Sequence, residues 1–186
     1  IEGSEVKLHE EDVCTTGTSI AVKNLFFNVP ARRNFLKSNA VEQKHILEEL
    51  HRVALVHPNI NFKLTINDRD NYQLASSALR QRIVSIFGKN YNERLVPIEE
   101  KTDIVTISGF ICKPEYARKT RGEQYFFVNN RFIKHPYLHH AVMNAYKEMI
   151  APDQFPSYFV YLTVPTDKID INIHPTKTEV KFEDEK

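Results

Sequence analysis

The amino-acid sequence predicts an α+β fold, with a mixed sheet and helices on one face. Short runs in which apolar and polar residues alternate are separated by segments whose apolar residues recur at helical spacing. In addition, 41% of the 186 residues are hydrophobic, which suffices for one good core, or for one domain and part of another. The strand-rich region with three helices begins at Asn39.

The three helices have recognisable ends. Asn39 and Glu42 are spaced as in a capping box at the start of the first helix, which continues to about His57. The second helix ends at Gly88, and the third begins at Pro136. The apolar residues that define these helices are Ile46, Leu47, Leu50, Val53 and Ala54, then Leu79, Ile83, Ile86 and Phe87, then Leu138, Val142, Ala145, Tyr146 and Met149.

Alternation with a period of two predicts the strands of the sheet. Residues 117–123 are polar and basic and include Gly122, so we expect a mobile loop there. The predicted strands are 62–66, 72–74, 104–112, 124–133, 158–164, 169–173 and 178–182.

The first 38 residues predict a smaller structure. Residues 6–8 and 17–27 are predicted to be two strands joined by residues 10–16, with the run 25–27 buried on both sides. Such a hairpin is too small to stand alone. It therefore suggests the end of a larger sheet, and the absence of an initial Met favours a chain cut from a longer protein.

Composition excludes several classes of protein. Lysine and arginine number 25 and aspartate and glutamate 24, so at a net charge of +1 any nucleic-acid surface must be local. The two cysteines form no CxxC pair, which excludes zinc ribbons and favours a reducing, intracellular setting. No run approaches the ~18 apolar residues of a membrane span, and residues 1–5 lack a signal-peptide pattern.

A lysine in the tail is a candidate anion-binding residue. Ile169, Ile171 and Ile173 alternate with polar residues, and Pro175 then stops strand pairing. Lys177 therefore lies in a loop between two strands, where its ammonium group is placed to contact an anion. The alternative is an ordinary solvated lysine.

A second candidate site is the cluster of cations at Arg32, Arg33 and Lys37. Arg33 and Lys37 are four residues apart and would share one face of a helix. Cations grouped in this way can hold the phosphates of a nucleic-acid backbone. The alternative is a solvated helix face with ion pairs to Glu42 and Glu48.

His135, His139 and His140 raise the question of a metal site. His135 and His139 are four residues apart on a predicted helix, but no His-Glu-x-x-His motif and no third carboxylate ligand accompany them. We therefore expect surface or helix-capping histidines and no metal.

Three segments resemble the MutL-type DNA mismatch repair proteins. The string Asp-Ile-Asn-Ile-His-Pro-Thr-Lys-Thr-Glu-Val-Lys-Phe at 170–182 resembles the signature that closes the N-terminal half of that family. Residues 17–37 resemble its pattern of Gly-Thr, a strand, Leu-Phe-x-Asn-x-Pro-x-Arg and Phe-Leu. Residues 125–134 resemble its aromatic strand followed by Val-Asn-x-Arg. The resemblance covers essentially the whole chain.

The resemblance implies a role for each candidate residue. Lys177 would reach an ATP site and contact the terminal phosphate, which makes it the candidate catalytic residue, and Gly17 and Thr18 would line the adenine end. DNA would bind without sequence preference along a groove, although this chain has Pro136 where other members have a further basic residue. The DNA-binding residues implied are Arg32, Arg33, Lys37, Arg131 and Lys134.

The resemblance also implies domains and partners. Residues 1–38 would be the C-terminal end of a GHKL-type ATPase domain, and residues 39–186 a transducer domain resembling ribosomal protein S5 domain 2. The full-length protein would be cytoplasmic, bind ATP and Mg²⁺, form a homodimer, and act on DNA with the mismatch-recognition protein MutS. The family's catalytic glutamate and magnesium-binding asparagine lie upstream of the matching segment, so this chain alone would bind no cofactor and hydrolyse no ATP.

Three other functions stay open on the sequence. An S5-like RNA-binding module would bind single-stranded RNA and would give no reason for Gly17 and Thr18. A transducer piece of a type II topoisomerase would share the lysine loop, but the strings at 28–32 and 128–131 argue against it. A metal hydrolase built on the three histidines would carry bound metal.

Overall fold

The chain divides into two compact units, Ile1–Leu47 and Glu48–Lys186. The division falls inside a long helix, whereas the sequence predicts a domain boundary between residues 38 and 39, and that domain assignment stays a prediction. The computed structural model describes residues 1–2, 4–11, 13–170 and 178–182.

The first unit contains a short helix and the start of a long one. Pro30 occupies the first turn of α1 (Pro30–Asn34), because its fixed φ suits that position. The long helix α2 (Asn39–Val56) begins where the sequence predicts it. The Glu42 carboxylate accepts a hydrogen bond from the Lys37 backbone N–H at 2.8 Å, so the capping interaction reaches two residues further upstream than predicted.

The predicted N-terminal hairpin at 6–8 and 17–27 is wrong, because the described residues of the first unit form no strand. Ile20 and Val22 are 83% and 75% exposed. The run 25–27, predicted to be buried, is a turn with its first and last residues largely exposed. A two-residue alternation becomes a strand only where a neighbouring strand and a core cover its apolar face.

The second unit opens with a hairpin and two short helices that are held together by a buried arginine. Arg82 is fully buried, and its Nη2 donates hydrogen bonds to the carbonyl oxygens of Pro58, Ile60 and Ala75 at 2.8, 2.6 and 3.1 Å. These bonds fix the end of α2 against the following elements. Those elements are β1 (Phe62–Ile66), β2 (Arg69–Leu74), α3 (Leu79–Phe87) and α4 (Tyr91–Arg94).

A five-stranded mixed sheet follows, which confirms the predicted fold class. Its strands are β3 (Leu95–Lys101), β4 (Thr106–Cys112), β5 (Gln124–Val128), β6 (Arg131–Ile133) and β7 (Tyr158–Thr163). Their spatial order is β3-β4-β7-β5-β6, and all neighbours are antiparallel except β5 and β7, which are parallel.

Helices cover both faces of this sheet, which corrects the prediction of helices on one face. Successive residues of β5 point to opposite sides. Phe127 packs in a core with Leu55 of α2 and Ile83 of α3. Phe126 belongs to a second core, against which Leu138 of α5 (Pro136–Tyr146) packs. The continuous aromatic run of β5 is therefore buried from both sides.

Two connections differ from the predictions. The predicted single strand 124–133 is a hairpin of β5 and β6. The predicted mobile loop 117–123 is tied down at both ends, because Arg118 forms a bridge with Phe155 and its guanidinium contacts the Glu123 carboxylate at 2.5 Å. Glu123 also accepts a hydrogen bond from the Ser157 hydroxyl at 2.7 Å.

Candidate functional site

The predicted phosphate-contacting residue, Lys177, lies outside the described residues, but both stems that lead to it are described. The incoming stem is β8 (Ile169–Asp170) and the outgoing stem ends in β9 (Lys181–Phe182). The two strands are antiparallel. A strand therefore lies on each side of the lysine, as predicted, and the two pair with each other.

The outgoing stem is fixed to the rest of the second unit by backbone and apolar contacts. The Lys134 N–H donates a hydrogen bond to the Thr178 carbonyl oxygen at 2.7 Å. Val180 is 3% exposed and lies in the second core with Ile133. The Phe182 ring contacts the His135 ring, with 5.6 Å between centroids. This stem consequently has one defined position against β6 and the residues that follow it.

Asn129 and Arg131 belong to the turn and second strand of the β5–β6 hairpin. Asn129 and Asn130 have φ of 47° and 63°, as a two-residue hairpin turn of this hand requires. The Asn129 side chain hydrogen-bonds the backbone of Val164. Arg131 is exposed at the start of β6. The sequence predicts one strand over 124–133, and the Asn-Asn dipeptide at 129–130 is the turn signal that this prediction overlooks.

A cavity of about 350 Å³ lies beside this hairpin and the outgoing stem. Arg131 and Thr178 both line it, together with Arg52 and His57. The Arg52 guanidinium pairs with Glu49 and lies over the Phe132 ring at 4.2 Å. Glu49 lines the cavity too, so Arg131, which is exposed and has no described ion pair, is the cation here that is suited to contact an anion.

A larger cavity of about 860 Å³ is lined in part by Glu179 and Val180 of the outgoing stem. Arg121 and Lys134 supply cations, and His139 Nδ1 is 2.8 Å from the Tyr158 hydroxyl oxygen. Burial lowers the pKa of His139, and the nearby charges of Arg121 and His140 lower it further. The ring of His139 therefore favours the neutral form, in which one nitrogen can accept a hydrogen bond.

The three cations of the first unit, Arg32, Arg33 and Lys37, are exposed. Arg32 lies over the Phe26 ring at 5.0 Å. The predicted shared helix face of Arg33 and Lys37 is wrong, because α1 ends at Asn34 and Lys37 lies beyond it. The spacing of Arg33 and Lys37 suggests one helix, but α1 ends at Asn34 and the next helix, α2, begins at Asn39.

The predicted adenine-contacting residues, Gly17 and Thr18, lie in irregular, exposed chain of the first unit. A Cβ atom on Gly17 would meet no described atom within 4 Å. Their role at a nucleotide stays a prediction.

The histidines of α5 have ordinary structural partners. His135 is the N-cap residue of α5, and its ring nitrogen accepts from the Leu138 N–H. His140 lies 3.2 Å from the Asn144 side-chain amide. In the part of the chain that the structure describes, no group of three or more His, Cys, Asp and Glu side chains could hold a metal ion. Within the same residues no helix is both long and apolar enough to cross a membrane.

Comparison with known proteins gives the family. Residues 83–186 match the family described as "DNA mismatch repair protein, C-terminal domain". The DNA mismatch repair protein MutL of Flavobacterium johnsoniae is 59% identical over 185 residues, which is 100% of this chain and 29% of that protein. MutL of Bacteroides fragilis is 51% identical over 185 residues, 100% of this chain and 30% of the relative. The chain belongs to the MutL family of DNA mismatch repair proteins, and the predicted resemblance is confirmed.

Solved structures agree with this assignment. A structure titled "Crystal Structure of N terminal domain of a DNA repair protein" has a TM-score of 0.70 at 23% identity, over 85% of this chain and 53% of the other, and shows the shared fold. The Aquifex aeolicus MutL ATPase domain, solved with ADP, has a TM-score of 0.59 at 26% identity over 77% of this chain and 51% of that one. The RNA-binding and topoisomerase alternatives are consequently not favoured.

Proposed function

We propose that this chain is part of an ATP-dependent, DNA-binding coordinator of mismatch repair, in which it supplies a phosphate-contacting lysine and part of the DNA surface. The observation that carries the proposal is the 59% identity to a MutL protein along the full length of the chain. As a MutL protein it would form a homodimer, act with MutS, and work inside the cell, where the DNA is.

The nucleotide half of the proposal concerns Lys177, Gly17 and Thr18. It is supported by the likeness to a MutL ATPase domain that was solved with ADP. ATP and Mg²⁺ would bind in the full-length protein. Lys177 would meet the negative charge that develops on the terminal phosphate during transfer, and a lysine ammonium is suited to this as a compact point charge.

The DNA half of the proposal concerns the exposed cations Arg32, Arg33, Lys37, Arg131 and Lys134. None of them has a described ion pair, so their charge is available to phosphates. At a net charge of +1 for the chain, binding would come from these local groups, and it would be independent of base sequence and sensitive to salt.

Replacing Lys177 tests the nucleotide half. In the full-length protein, we expect Lys177→Ala to slow ATP turnover at saturating ATP by roughly ten- to a thousandfold, taking the loss of one oxyanion-hole donor as a guide. Nucleotide binding should weaken less than turnover, and the free energy of unfolding should change by no more than about 0.5 kcal/mol.

Lys181 offers a matched control, because it is an exposed lysine on the same outgoing stem. Lys181→Ala removes the same charge and should leave turnover unchanged. Wild-type turnover in a well-folded Lys177→Ala protein would reduce Lys177 to an ordinary surface lysine and refute the nucleotide half of the proposal.

A further inference from the structure

Both stems of the segment 171–177 are attached to one element, the β5–β6 hairpin and its continuation to Lys134. The outgoing stem is held at Thr178 by the Lys134 N–H. On the incoming side the hairpin holds Val164, the residue directly after β7, from which the chain runs through residues 165–168 to the incoming stem β8 at Ile169. The side chain that holds Val164 is Asn129.

Asn129 binds the end of β7 through three hydrogen bonds. Its backbone N–H donates to the Leu162 carbonyl oxygen at 2.9 Å. Its side-chain amide nitrogen donates to the Val164 carbonyl oxygen at 2.9 Å, and its side-chain oxygen accepts from the Val164 N–H at 2.9 Å. Val164 is 7% exposed, so water does not readily replace these partners.

The turn itself does not require the Asn129 side chain. A two-residue turn with positive φ accepts glycine at either position. Asn130 has the same kind of backbone conformation, with φ of 63°, and its side chain is exposed and makes no hydrogen bond within the described residues. The Asn129 carboxamide offers a donor to the C=O and an acceptor to the N–H of the same residue, Val164, whereas a carboxylate has no donor. Asn129 therefore does more than form the turn. We call its two side-chain hydrogen bonds to the Val164 backbone the Val164 clamp.

We propose that Asn129 is a positioning residue for Lys177. The hairpin holds the incoming stem through the Asn129 side chain and the outgoing stem through the Lys134 backbone, and so fixes where the segment between them begins and ends. This inference rests on the proposed function of Lys177. A catalytic charge has to be held close to its productive position. Loss of the contacts that hold it there lowers turnover even though the charge is still present.

The first test compares two glycine variants by hydrogen exchange in the full-length protein. Asn129→Gly keeps the turn and deletes both side-chain hydrogen bonds, whereas Asn130→Gly keeps the turn and deletes none. We expect Asn129→Gly to speed exchange at least about fivefold in peptides covering 164–170, since each lost bond contributes modestly to local opening. Exchange should also rise in peptides covering 178–182, because β9 pairs with β8. Asn130→Gly should change neither. Faster exchange confined to 164–170 would contradict a clamp on both stems.

The second test measures turnover of the same variants. Asn129→Gly should lower kcat for ATP by roughly three- to thirtyfold with a smaller change in KM, less than Lys177→Ala does. Adding Asn129→Gly to Lys177→Ala should have little further effect, because a residue that acts by positioning Lys177 has nothing to position in its absence. A merely destabilising change would instead add to the loss.

The outcomes separate the two proposals. If Lys177→Ala leaves turnover unchanged, the proposed function fails, while the exchange data still decide the clamp. If Lys177→Ala slows turnover but Asn129→Gly does not, the positioning role is wrong. Should Asn129→Gly melt below the assay temperature, Asn129→Asp takes its place: it retains the acceptor for the Val164 N–H, loses the donor, and is expected to fall between wild type and Asn129→Gly in turnover.

Discussion

At the scale of single residues, Gly109 shows how closely β4 and β7 approach. Its φ is +124°, and a Cβ atom would lie 2.1 Å from the Phe159 carbonyl oxygen, too close for any side chain. We expect Gly109→Ala to lower the free energy of unfolding by about 2 kcal/mol or more, because it combines backbone strain with a backbone clash. Urea unfolding of the chain measures this.

Gly88 separates those two causes. It also has positive φ, +106°, but a Cβ atom there would meet nothing within 4 Å. Gly88→Ala should therefore cost only the strain, about 1 kcal/mol. Equal losses for the two variants would mean that the close approach of β4 and β7 relaxes without cost.

Two histidines predict how stability depends on pH. His51, whose ring lies 3.0 Å from the Tyr72 hydroxyl, and His139 both have their pKa lowered, chiefly by burial. The unfolded state, with histidine pKa near 6.5, then binds protons before the folded state does. As pH falls below about 6.5, the free energy of unfolding should fall, until the lowered pKa values of the folded state are passed.

Urea titrations between pH 7.5 and pH 5 give the measurement. The variant His51→Gln, His139→Gln should show a shallower slope in this window, since its two glutamines do not titrate. If the wild type and the double variant lose stability equally, other groups cause the pH dependence.

At the scale of elements, the sequence predicted the helices and strands in which the spacing of apolar residues matches the face that the structure buries. α2 and α3 follow helical spacing, and β1 follows strict alternation. β3 was missed, because its residues include a proline and two consecutive glutamates, which an edge strand tolerates and a buried strand does not. The false strand at 17–27 fails for the opposite reason, since its alternation finds no covering surface.

The candidate site was predictable only in part. Side-chain identity marked Arg131 and Lys134, and both are exposed. The bonds that hold the stems use the backbone of Lys134, Thr178 and Val164, and backbone groups leave no trace in residue type. The Asn129 side chain is the one side chain among these contacts, but an asparagine at a turn is ordinary, so its residue type did not indicate the bonds to Val164.

The cations of the first unit give a prediction at this scale. Replacing Arg32, Arg33 and Lys37 together with Glu in the full-length protein should weaken binding to all DNA sequences alike. The slope of log K against log salt should decrease in magnitude by about 2 to 3, because each lost phosphate contact removes close to 0.9. Fluorescence anisotropy at several salt concentrations measures both effects.

The control for this experiment changes the net charge by the same amount elsewhere. Lys89, Lys101 and Lys147 are exposed cations outside the proposed DNA surface. Their triple replacement by Glu should leave the slope nearly unchanged. An equal effect of both triple variants would show that overall charge, and no particular surface, governs binding.

At the scale of the whole molecule, the chain spans 29–30% of the length of the MutL relatives that it matches along its entire sequence. We expect the 186-residue chain by itself not to hydrolyse ATP. One phosphate-contacting lysine can stabilise developing charge, but turnover also needs a base that activates water and a bound magnesium ion, which the family resemblance places outside this segment. Phosphate release would be measured with the purified chain and with the full-length protein under identical conditions, and only the full-length protein should be active. Steady turnover by the chain alone, constant through further purification and abolished by Lys177→Ala, would place the complete catalytic machinery within these 186 residues and refute the division of labour proposed for them.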